Sequence, residues 1–294
     1  MIPGAFKYSA PTSIAEAVAL LHDNQDAKIL AGGHSLLPLM KLRLAQPAVL
    51  VDINRIPGLD AIEEDQRLER LRIGALVRHV DLERSPLIRA RFPLLHEAAG
   101  GIGDPLVRNR GTLAGSVAHA DPASDWPAAL LALDAEVVAT GTGGERVVPL
   151  RQLYVDILTT SLNSDELVTE VRVPLPDLNS GGAYEKLERK VGDYAVVGVG
   201  AQLGVDRDPE IIHGVGIGLC NVGSTTIKAT AAEQFLLGSP PAPDNLNEAA
   251  RLAMDASDPV EDDRGPVDYK RAMARELTKR ALNRALARAR GENV

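Results

Sequence analysis

The sequence predicts an α+β protein in two main parts, and the order of its elements supports this prediction. In residues 1–57 short apolar strands alternate with short helices. In residues 58–177 a different set of short strands alternates with helices. Residues 178–294 begin with three strand-like runs and continue as helices. A chain of 294 residues is long enough for two domains.

The composition is typical of a globular protein, with 45% hydrophobic and 24% charged residues. Cys220 is the only cysteine, which excludes a disulfide framework and any four-thiolate zinc or iron–sulfur site within the chain. The formal net charge of −8 argues against a nucleic-acid partner. Because we find neither a secretory signal nor a transmembrane segment, we expect a cytoplasmic location.

The first part begins with a capped helix between strands. Ser13, followed three residues later by Glu16, predicts a capping box before apolar residues at helical spacing. The run AVLVDI at 48–53 is typical of a strand buried in a parallel sheet. The other predicted elements are the strands AFKY (5–8) and AKIL (27–30) and the short helix LMKLRLA (39–45).

The second part contains four predicted strands and three predicted helices. The strands are LRIGALV (71–77), EVVAT (136–140), RVVPL (146–150) and LVTEVRVPLP (167–176). The helices lie near 79–84, 86–100 and 126–133. Pro174, Pro176 and the run DLNSGG at 177–182 then predict a domain boundary.

The last part has three predicted strands followed by helices over 226–290. Its strands are AYEKLERK (183–190), YAVVGVGAQLGV (194–205) and IIHGVGIGLC (211–220). Glycines recur on one face of the last two strands, at positions 198, 200, 204, 214, 216 and 218. No helix follows them as in a dinucleotide fingerprint, so they indicate close approach of a neighbouring element. Residues 270–290 are basic and predict a terminal helix that packs one apolar stripe.

Residues 29–38 read ILAGGHSLLP and place two glycines, a histidine and a serine between a strand and a helix. Glycine weakens strands and helices alike, so such a cluster usually marks close approach of the backbone to another group. That group could be another backbone segment or a phosphate. An ordinary tight turn is the third interpretation.

Residues 108–127 form a second cluster, RNRGTLAGSVAHADPASDWP. A helix start is predicted at Trp126, with Asp125 or Ser124 as its cap. Consecutive backbone N–H groups in such loops form an anion-binding concavity, so two loops together could hold a pyrophosphate. Neither loop has the lysine of a P-loop.

Two plainer interpretations of these loops stay open at this point. Both loops could be ordinary tight turns. A metal site of His119, Asp121 and Asp125 is less favoured, because a proline interrupts the run and no other histidine is near.

Five stretches, in order across nearly the whole chain, resemble the FAD-binding medium subunit of the molybdenum hydroxylase (xanthine dehydrogenase) family. The nearest likeness is to its aerobic carbon monoxide dehydrogenase branch. The stretches are MIPGAFKY (1–8), LAGGHSLLPLMKLRLAQP (30–47), GTLAGSVAHADPASD (111–125), AYEKLERKVGDYAVV (183–197) and DRGPVDYKRAMA (263–274).

The resemblance implies a fold of two domains. Residues 1–177 would form a two-part FAD-binding domain of the vanillyl-alcohol-oxidase type, with subdomains of about 1–57 and 58–177. Residues 178–294 would form the C-terminal medium-subunit domain, with a three-stranded antiparallel sheet and helices.

The resemblance also implies which residues bind FAD. The pyrophosphate would lie on the two glycine loops. Asp125 would face polar parts of the cofactor, Lys186 would lie near the flavin and Tyr194 would shield the isoalloxazine ring. No catalytic residue and no metal ligand is assigned. The implied cofactor-binding residues are Leu30, Ala31, Gly32, Gly33, His34, Ser35, Leu36, Leu37, Ile102, Thr112, Leu113, Ala114, Gly115, Ser116, Asp125, Val168, Lys186 and Tyr194.

Three of these positions carry an alternative interpretation from the residues alone. Lys186 alternates with Glu185 and Glu188 and could be a surface lysine, and Tyr194 could be an ordinary core tyrosine. Ala114 stands where the family usually has glycine. An alanine fits there if its φ is negative and weakens FAD binding if its φ is positive.

The implied function is that of an FAD-carrying electron-transfer subunit of a heterotrimeric molybdenum hydroxylase. A large molybdopterin subunit would oxidise the substrate, and a small [2Fe-2S] subunit would pass electrons through FAD to an external acceptor. The implied assembly is a dimer of heterotrimers, with any membrane association through the partners. A cationic Lys186 would favour the reduced anionic flavin.

Other functional hypotheses stay open at the level of the sequence. The partner's substrate could be carbon monoxide, a xanthine, an aldehyde or an N-heterocycle. The chain could instead be a stand-alone module of the same fold without cofactor, for which Ala114 is the only sequence support. It could also be an independent flavin oxidoreductase.

Overall fold

The computed structural model describes residues 2–292 and Val294, so Met1 of the motif MIPGAFKY and Asn293 lie outside it. The first subdomain is a three-stranded parallel sheet with two helices, in which β3 is central and β1 and β2 flank it. The central position explains why the predicted AVLVDI strand is buried. Its elements are β1 (Lys7–Ser9), α1 (Ile14–Asp23), β2 (Ala27–Leu30), α2 (Leu36–Lys41), β3 (Val49–Asp52) and a short 3-10 helix at Ile53–Arg55.

The two helices of this subdomain start close to where the sequence predicts. The Ser13 hydroxyl accepts from the Glu16 amide at 3.2 Å, as in the predicted cap. The Glu16 carboxylate accepts from the Thr12 amide at 2.7 Å instead of from Ser13, so half of the predicted box is displaced by one residue. Helix α2 starts at Leu36, three residues before the predicted start, because Pro38 is tolerated within the first turn of a helix.

The second subdomain is a five-stranded antiparallel sheet in the order β4-β5-β10-β6-β7, with helices around it. The predicted helix over 86–100 is two helices, because Phe92 leaves helical geometry and Pro93 starts the second one. Strand β4, helices α6 and α7 and the hairpin β8–β9 were not predicted. The elements are β4 (Ile62–Asp65), β5 (Arg70–Gly74), α3 (His79–Arg84), α4 (Pro86–Arg91), α5 (Pro93–Gly100), α6 (Pro105–Arg108), α7 (Leu113–His119), α8 (Asp125–Ala132), β6 (Glu136–Gly141), β7 (Gly144–Pro149), a 3-10 helix at Leu150–Gln152, β8 (Tyr154–Asp156), β9 (Thr159–Thr160) and β10 (Leu167–Pro174).

The C-terminal part is an antiparallel sheet covered by helices. The sheet has the three long strands that the sequence predicts and, beyond them, the two-residue strand β14, which is too short to give a periodic signal. Of the predicted helical stretch 226–290, residues 226–229 are not helical and contain β14, and the remainder is three helices separated by 237–242 and 256–266. The elements are β11 (Ser180–Leu187), β12 (Val197–Val205), β13 (Ile212–Cys220), β14 (Ile227–Lys228), α9 (Thr230–Leu236), α10 (Pro243–Asp255) and α11 (Val267–Ala289).

In the described part of the chain, buried apolar residues form two clusters. The first joins both N-terminal subdomains and also contains Tyr184, Ala195 and Cys220 of the C-terminal part. The second lies between the C-terminal sheet and helices α9–α11. Among the residues described, no helix combines the length and apolar composition needed to cross a bilayer.

Helix α8 lies directly on the glycine face of the C-terminal sheet. A Cβ atom on Gly216 would lie 2.8 Å from the carbonyl carbon of Ala132 and closer still to its oxygen. A Cβ atom on Gly218 would lie 3.0 Å from the carbonyl carbon of Ala128. The close approach that the sequence predicts is therefore confirmed at Gly216 and Gly218, and it fixes the helix whose first residue is Asp125. It is wrong for Gly214, where the nearest described atom would lie 3.9 Å from a Cβ atom.

Candidate cofactor-binding site

The two glycine loops meet in space. A Cβ atom on Gly32 would lie 2.7 Å from the Cα of Gly111 and closer still to the carbonyl oxygen of Arg110. The loops are therefore in backbone contact, and only glycine at position 32 permits it. The prediction that these two distant segments come together is confirmed.

Two side chains hold the loops together from behind. Asn54 donates to the carbonyl oxygen of Ala31 at 2.9 Å, and Arg78 donates to that of Arg110 at 2.6 Å. Arg78 also donates to Asn54 Oδ1 at 2.5 Å, so one bridge connects both loops. In a trans peptide the N–H and the carbonyl point in opposite directions. Since Asn54 binds the Ala31 carbonyl oxygen, the N–H of Gly32 in the same peptide points away from Asn54.

The first loop keeps its amide groups free. Gly33 has φ +77°, which favours glycine, and the α2 helix starts three residues later. Within residues 2–292 and Val294, the amides of Gly33, His34 and Ser35 donate to no protein acceptor. Consecutive free amides of this kind suit an anionic ligand.

The second loop starts helix α7. Thr112 caps it, and its hydroxyl accepts from the Gly115 amide at 3.1 Å. Ala114 lies in the first turn with negative φ, so its methyl group is tolerated there. A Cβ atom on Gly115 would lie 2.6 Å from the Thr112 hydroxyl, so a side chain at this position would displace the capping group.

A buried histidine supports the second loop from below. His79 is 4% exposed, and its Nδ1 accepts from Trp126 Nε1 at 2.9 Å. Indole N–H is a donor only, so this ring is neutral with its proton on Nε2. A Cβ atom on Gly111 would lie 2.5 Å from Nε2, so the loop packs directly on the imidazole. Burial lowers the pKa of His79 to about 3.

This neutral histidine predicts a loss of stability in acid. Unfolded His79 titrates near pH 6.5, so below that pH the unfolded chain binds one more proton than the folded chain. The free energy of unfolding should fall by about 1 kcal/mol per pH unit from this group as the pH drops below 6.5 toward the folded-state pKa of about 3. Urea unfolding at pH 7 and pH 4.5 measures this loss of stability. The variant His79→Asn should remove the part of the pH dependence that comes from His79, while its side-chain oxygen can still accept from Trp126.

Exposed His22 provides the matched control for this titration. The variant His22→Asn should lose stability in acid in parallel with the unmodified chain, whereas His79→Asn should lose less. Parallel curves for all three proteins would contradict the role assigned to His79.

A cavity of about 650 Å³ lies beside the joined loops. Most of the residues that the resemblance implies line it, and Leu30, Leu37, Leu113 and Lys186 do not. Leu113 is fully buried in the core, and Leu37 is more than a third exposed. The predicted residues that line the cavity are Ala31, Gly32, Gly33, His34, Ser35, Leu36, Ile102, Thr112, Ala114, Gly115, Ser116, Asp125, Val168 and Tyr194.

Asp125 and Lys186 form a buried ion pair at one wall of the cavity. Lys186 Nζ lies 3.0 Å from Asp125 Oδ2, 2.9 Å from the carbonyl oxygen of Gly101 and 3.4 Å from Glu188 Oε2. The two paired side chains are only 8% and 6% exposed, so the interpretation of Lys186 as a surface lysine is wrong. Burial raises the pKa of Asp125, and the Lys186 ammonium opposes that rise.

Tyr194 lies at the mouth of the cavity and is 44% exposed. It is therefore not an ordinary core tyrosine. Burial of its hydroxyl raises the pKa of Tyr194. Its amide donates to the Asp193 carboxylate at 2.9 Å, and Gly192 before it packs against the backbone of Gly103.

The sequence interpretation missed one complete wall of the cavity. The hairpin β8–β9 and the turn after it reach the cavity with Leu158, Thr160 and Asn163. Leu158 has φ +54°, and its amide donates to the carbonyl oxygen of Ala120 at 3.1 Å. No glycine or asparagine marks this left-handed position, so the sequence carried no signal for it.

His119 and Ser124 also line the cavity, and Ser124 shares a 2.5 Å hydrogen bond with Ser116. Burial lowers the pKa of His119. Across residues 2–292 and Val294, no three histidine, cysteine or carboxylate side chains are grouped as metal ligands.

Comparison with known proteins decides the family. The family model of the FAD-binding domain in molybdopterin dehydrogenase matches residues 4–176. The model of the CO dehydrogenase flavoprotein C-terminal domain matches residues 182–285. The chain belongs to the FAD-binding subunits of the molybdopterin dehydrogenases. The predicted family, fold class and FAD cofactor are thereby confirmed.

Individual members of the family resemble the chain over nearly its full length. It is 45% identical to the carbon monoxide dehydrogenase medium chain of Hydrogenophaga pseudoflava, over 98% of this chain and 99% of that one. It is 40% identical to the 6-hydroxypseudooxynicotine dehydrogenase complex subunit alpha of Paenarthrobacter nicotinovorans, over 99% of this chain and 97% of that one. A chain of the solved carbon monoxide dehydrogenase of H. pseudoflava superposes on this chain with a TM-score of 0.94 and 47% identity. The superposition covers 98% of this chain and 99% of that one.

Proposed function

We propose that the chain is the FAD-carrying electron-transfer subunit of a heterotrimeric molybdenum hydroxylase, of the carbon monoxide dehydrogenase type. The observation that carries the proposal is the backbone contact between the two glycine loops at one cavity. Bound FAD supplies the redox chemistry by accepting electrons and passing them on, while the chain binds and orients the cofactor.

We assign the FAD diphosphate to the joined loops. Free amides of the first loop and the amide at the start of α7 provide donors without side chains in the way. The hydrogen-bonded pair Asn54 and Arg78 binds one carbonyl oxygen in each loop, so the distance between the loops is set before a ligand binds. Such preorganisation lowers the entropy lost on binding.

We assign the flavin to the end of the cavity that Ile102, Asp125 and Tyr194 line, with Val168 as a further apolar contact. Lys186 lies behind Asp125, and its ammonium is paired with two carboxylates. Its positive charge is therefore largely offset. Lys186 should stabilise the reduced anionic flavin less than an unpaired ammonium would.

The partners that we propose are a large molybdopterin subunit and a small [2Fe-2S] subunit, assembled as a dimer of heterotrimers. The single buried cysteine cannot hold an iron–sulfur cluster, so the clusters of the proposed complex belong to another chain. Apolar side chains next to cavity-lining residues are exposed, including Leu106 at 76% and Val191 at 95%. Such an apolar rim suits a protein partner that covers the mouth.

We further propose a domain boundary near residue 177, a cytoplasmic location with any membrane association through the partners, and an external electron acceptor. The second buried cluster, whose members all lie beyond residue 177, supports the boundary. The net charge of −8 supports the absence of a nucleic-acid partner.

A second candidate is the same subunit role in a dehydrogenase of N-heterocyclic or aldehyde substrates. The 40% identity to the 6-hydroxypseudooxynicotine dehydrogenase subunit favours it, because this value is close to that for the carbon monoxide enzyme. A cofactor-free stand-alone module loses its support, since Ala114 fits the first turn of α7.

Purification of the tagged chain from its own host tests the proposal. We expect two further chains in the complex, one with molybdenum and one with iron and acid-labile sulfide, together with one FAD per copy of this chain. Carbon monoxide should bleach the flavin absorption of the complex, and an N-heterocycle or aldehyde should do so if the second candidate is right. A complex without FAD, or a chain that recovers neither partner, would overturn the proposal.

A further inference from the structure

Tyr184 is a buried side chain that contacts the carboxylate at the cavity wall. It lies on β11 and is 6% exposed. Its hydroxyl donates to Asp125 Oδ1 at 2.7 Å, while Lys186, two residues along the same strand, binds Oδ2 at 3.0 Å. One face of β11 therefore holds both oxygens of this carboxylate.

The space for the Tyr184 hydroxyl depends on a glycine. A Cβ atom on Gly198 would lie 2.6 Å from the Cys220 sulfur and closer still to the Tyr184 hydroxyl. Gly198 is one of the glycines that the sequence marked as a point of close approach. Gly198 on the neighbouring strand β12 therefore leaves the space that the Tyr184 hydroxyl occupies.

The backbone of Tyr184 is also held in place. Its amide donates to Glu97 Oε2 at 2.9 Å. The other oxygen of Glu97 accepts from Arg284 and from Arg288, the latter at 2.5 Å. Helices α5 and α11 thus fix the position of this strand relative to the cavity.

Packing alone does not explain a tyrosine at this position. Phenylalanine would fill the same volume, and a buried hydroxyl destabilises the fold unless it forms a hydrogen bond. The bond to a carboxylate is charge-assisted, so it favours the ionised form of Asp125. The titratable groups that face this carboxylate are Lys186 of β11, Glu188 and Tyr194 in the segment between β11 and β12, and Cys220 of β13.

We propose that Tyr184 is a positioning residue of the FAD site, whose hydroxyl holds the Asp125 carboxylate ionised and in one orientation at the cavity. This inference rests on the proposed function. A carboxylate accepts about four hydrogen bonds, so with one from Tyr184 and one from Lys186, Asp125 can still accept from a cofactor hydroxyl or ring N–H.

The variant Tyr184→Phe tests this role in the complete chain, purified with its partners. The dissociation constant for FAD should rise about tenfold, as expected for the loss of one hydrogen bond to a charged group. Without that donor Asp125 takes up its proton more readily. The pH at which the bound-flavin spectrum changes should therefore rise by about one unit.

Tyr154→Phe is the matched control, because the buried Tyr154 hydroxyl has no hydrogen-bond partner among the described residues. It should leave both readouts unchanged. In an Asp125→Asn background, Tyr184→Phe should have no further effect, since the two residues act through one contact.

The outcomes separate this inference from the proposed function. A wild-type protein that takes up no FAD overturns both. A wild-type protein that binds FAD, with Tyr184→Phe matching it in affinity and pH profile, overturns the positioning role alone. Additive effects of the Tyr184 and Asp125 substitutions also overturn it.

Discussion

Replacement of Gly216 by alanine should destabilise the protein by about 3 kcal/mol or more, because the new methyl group would meet backbone and not a movable side chain. The obstructing atoms belong to Ala132 at the end of α8. Helix α8 would have to move away from the sheet, and Asp125 at its start would move with it. Urea unfolding of the purified variant measures the effect.

Gly214 on the same strand provides the control. Among the described residues, no atom outside its chain neighbours would lie closer than 3.9 Å to a Cβ atom there, so Gly214→Ala should leave stability nearly unchanged. Equal stabilities for the two variants would show that α8 does not depend on the glycine face of the sheet.

Replacement of Gly32 by alanine should disrupt FAD binding more directly. The methyl group would meet the backbone of Arg110 and Gly111 and force the two loops apart. We expect an FAD affinity at least about tenfold lower and a loss of about 1–3 kcal/mol in the free energy of unfolding. Titration of the FAD-depleted protein with FAD, beside urea unfolding without FAD, separates the two effects.

Gly143 is the matched position for this change, since a Cβ atom there would meet no atom of residues 2–292 or Val294 within 4 Å and its φ is not positive. Gly143→Ala should bind FAD like the unmodified chain. Normal FAD binding by Gly32→Ala would contradict the assignment of the diphosphate to the joined loops.

The sequence alone could predict the loops but not their surroundings. Glycines and hydroxyls at 31–35 and 111–116 are a local signal, and a shared pyrophosphate predicts that the loops meet. Helix α7 was not predicted, because small residues such as Ala114 and Gly115 are typical of a loop. The structure shows that Thr112 caps a helix that contains them.

Burial of polar side chains on β11 could not be predicted from spacing. Lys186 alternates with acidic residues, as on a solvated strand, yet it is covered by Asp125 and Gly101. The hairpin β8–β9 was missed because its strands are two or three residues long and its left-handed residue is Leu158. In each case the deciding contact comes from a distant part of the chain.

The state of Cys220 makes the chain convenient for spectroscopic labelling. Its thiol is fully buried, and burial raises the pKa of Cys220 to about 12, so alkylating reagents find neither thiolate nor access at neutral pH. In the chain without its partners, a cysteine introduced at exposed Val191 would then be the single reactive thiol. A fluorophore or spin label at that position would report on the segment carrying Tyr194 without prior removal of native sulfur.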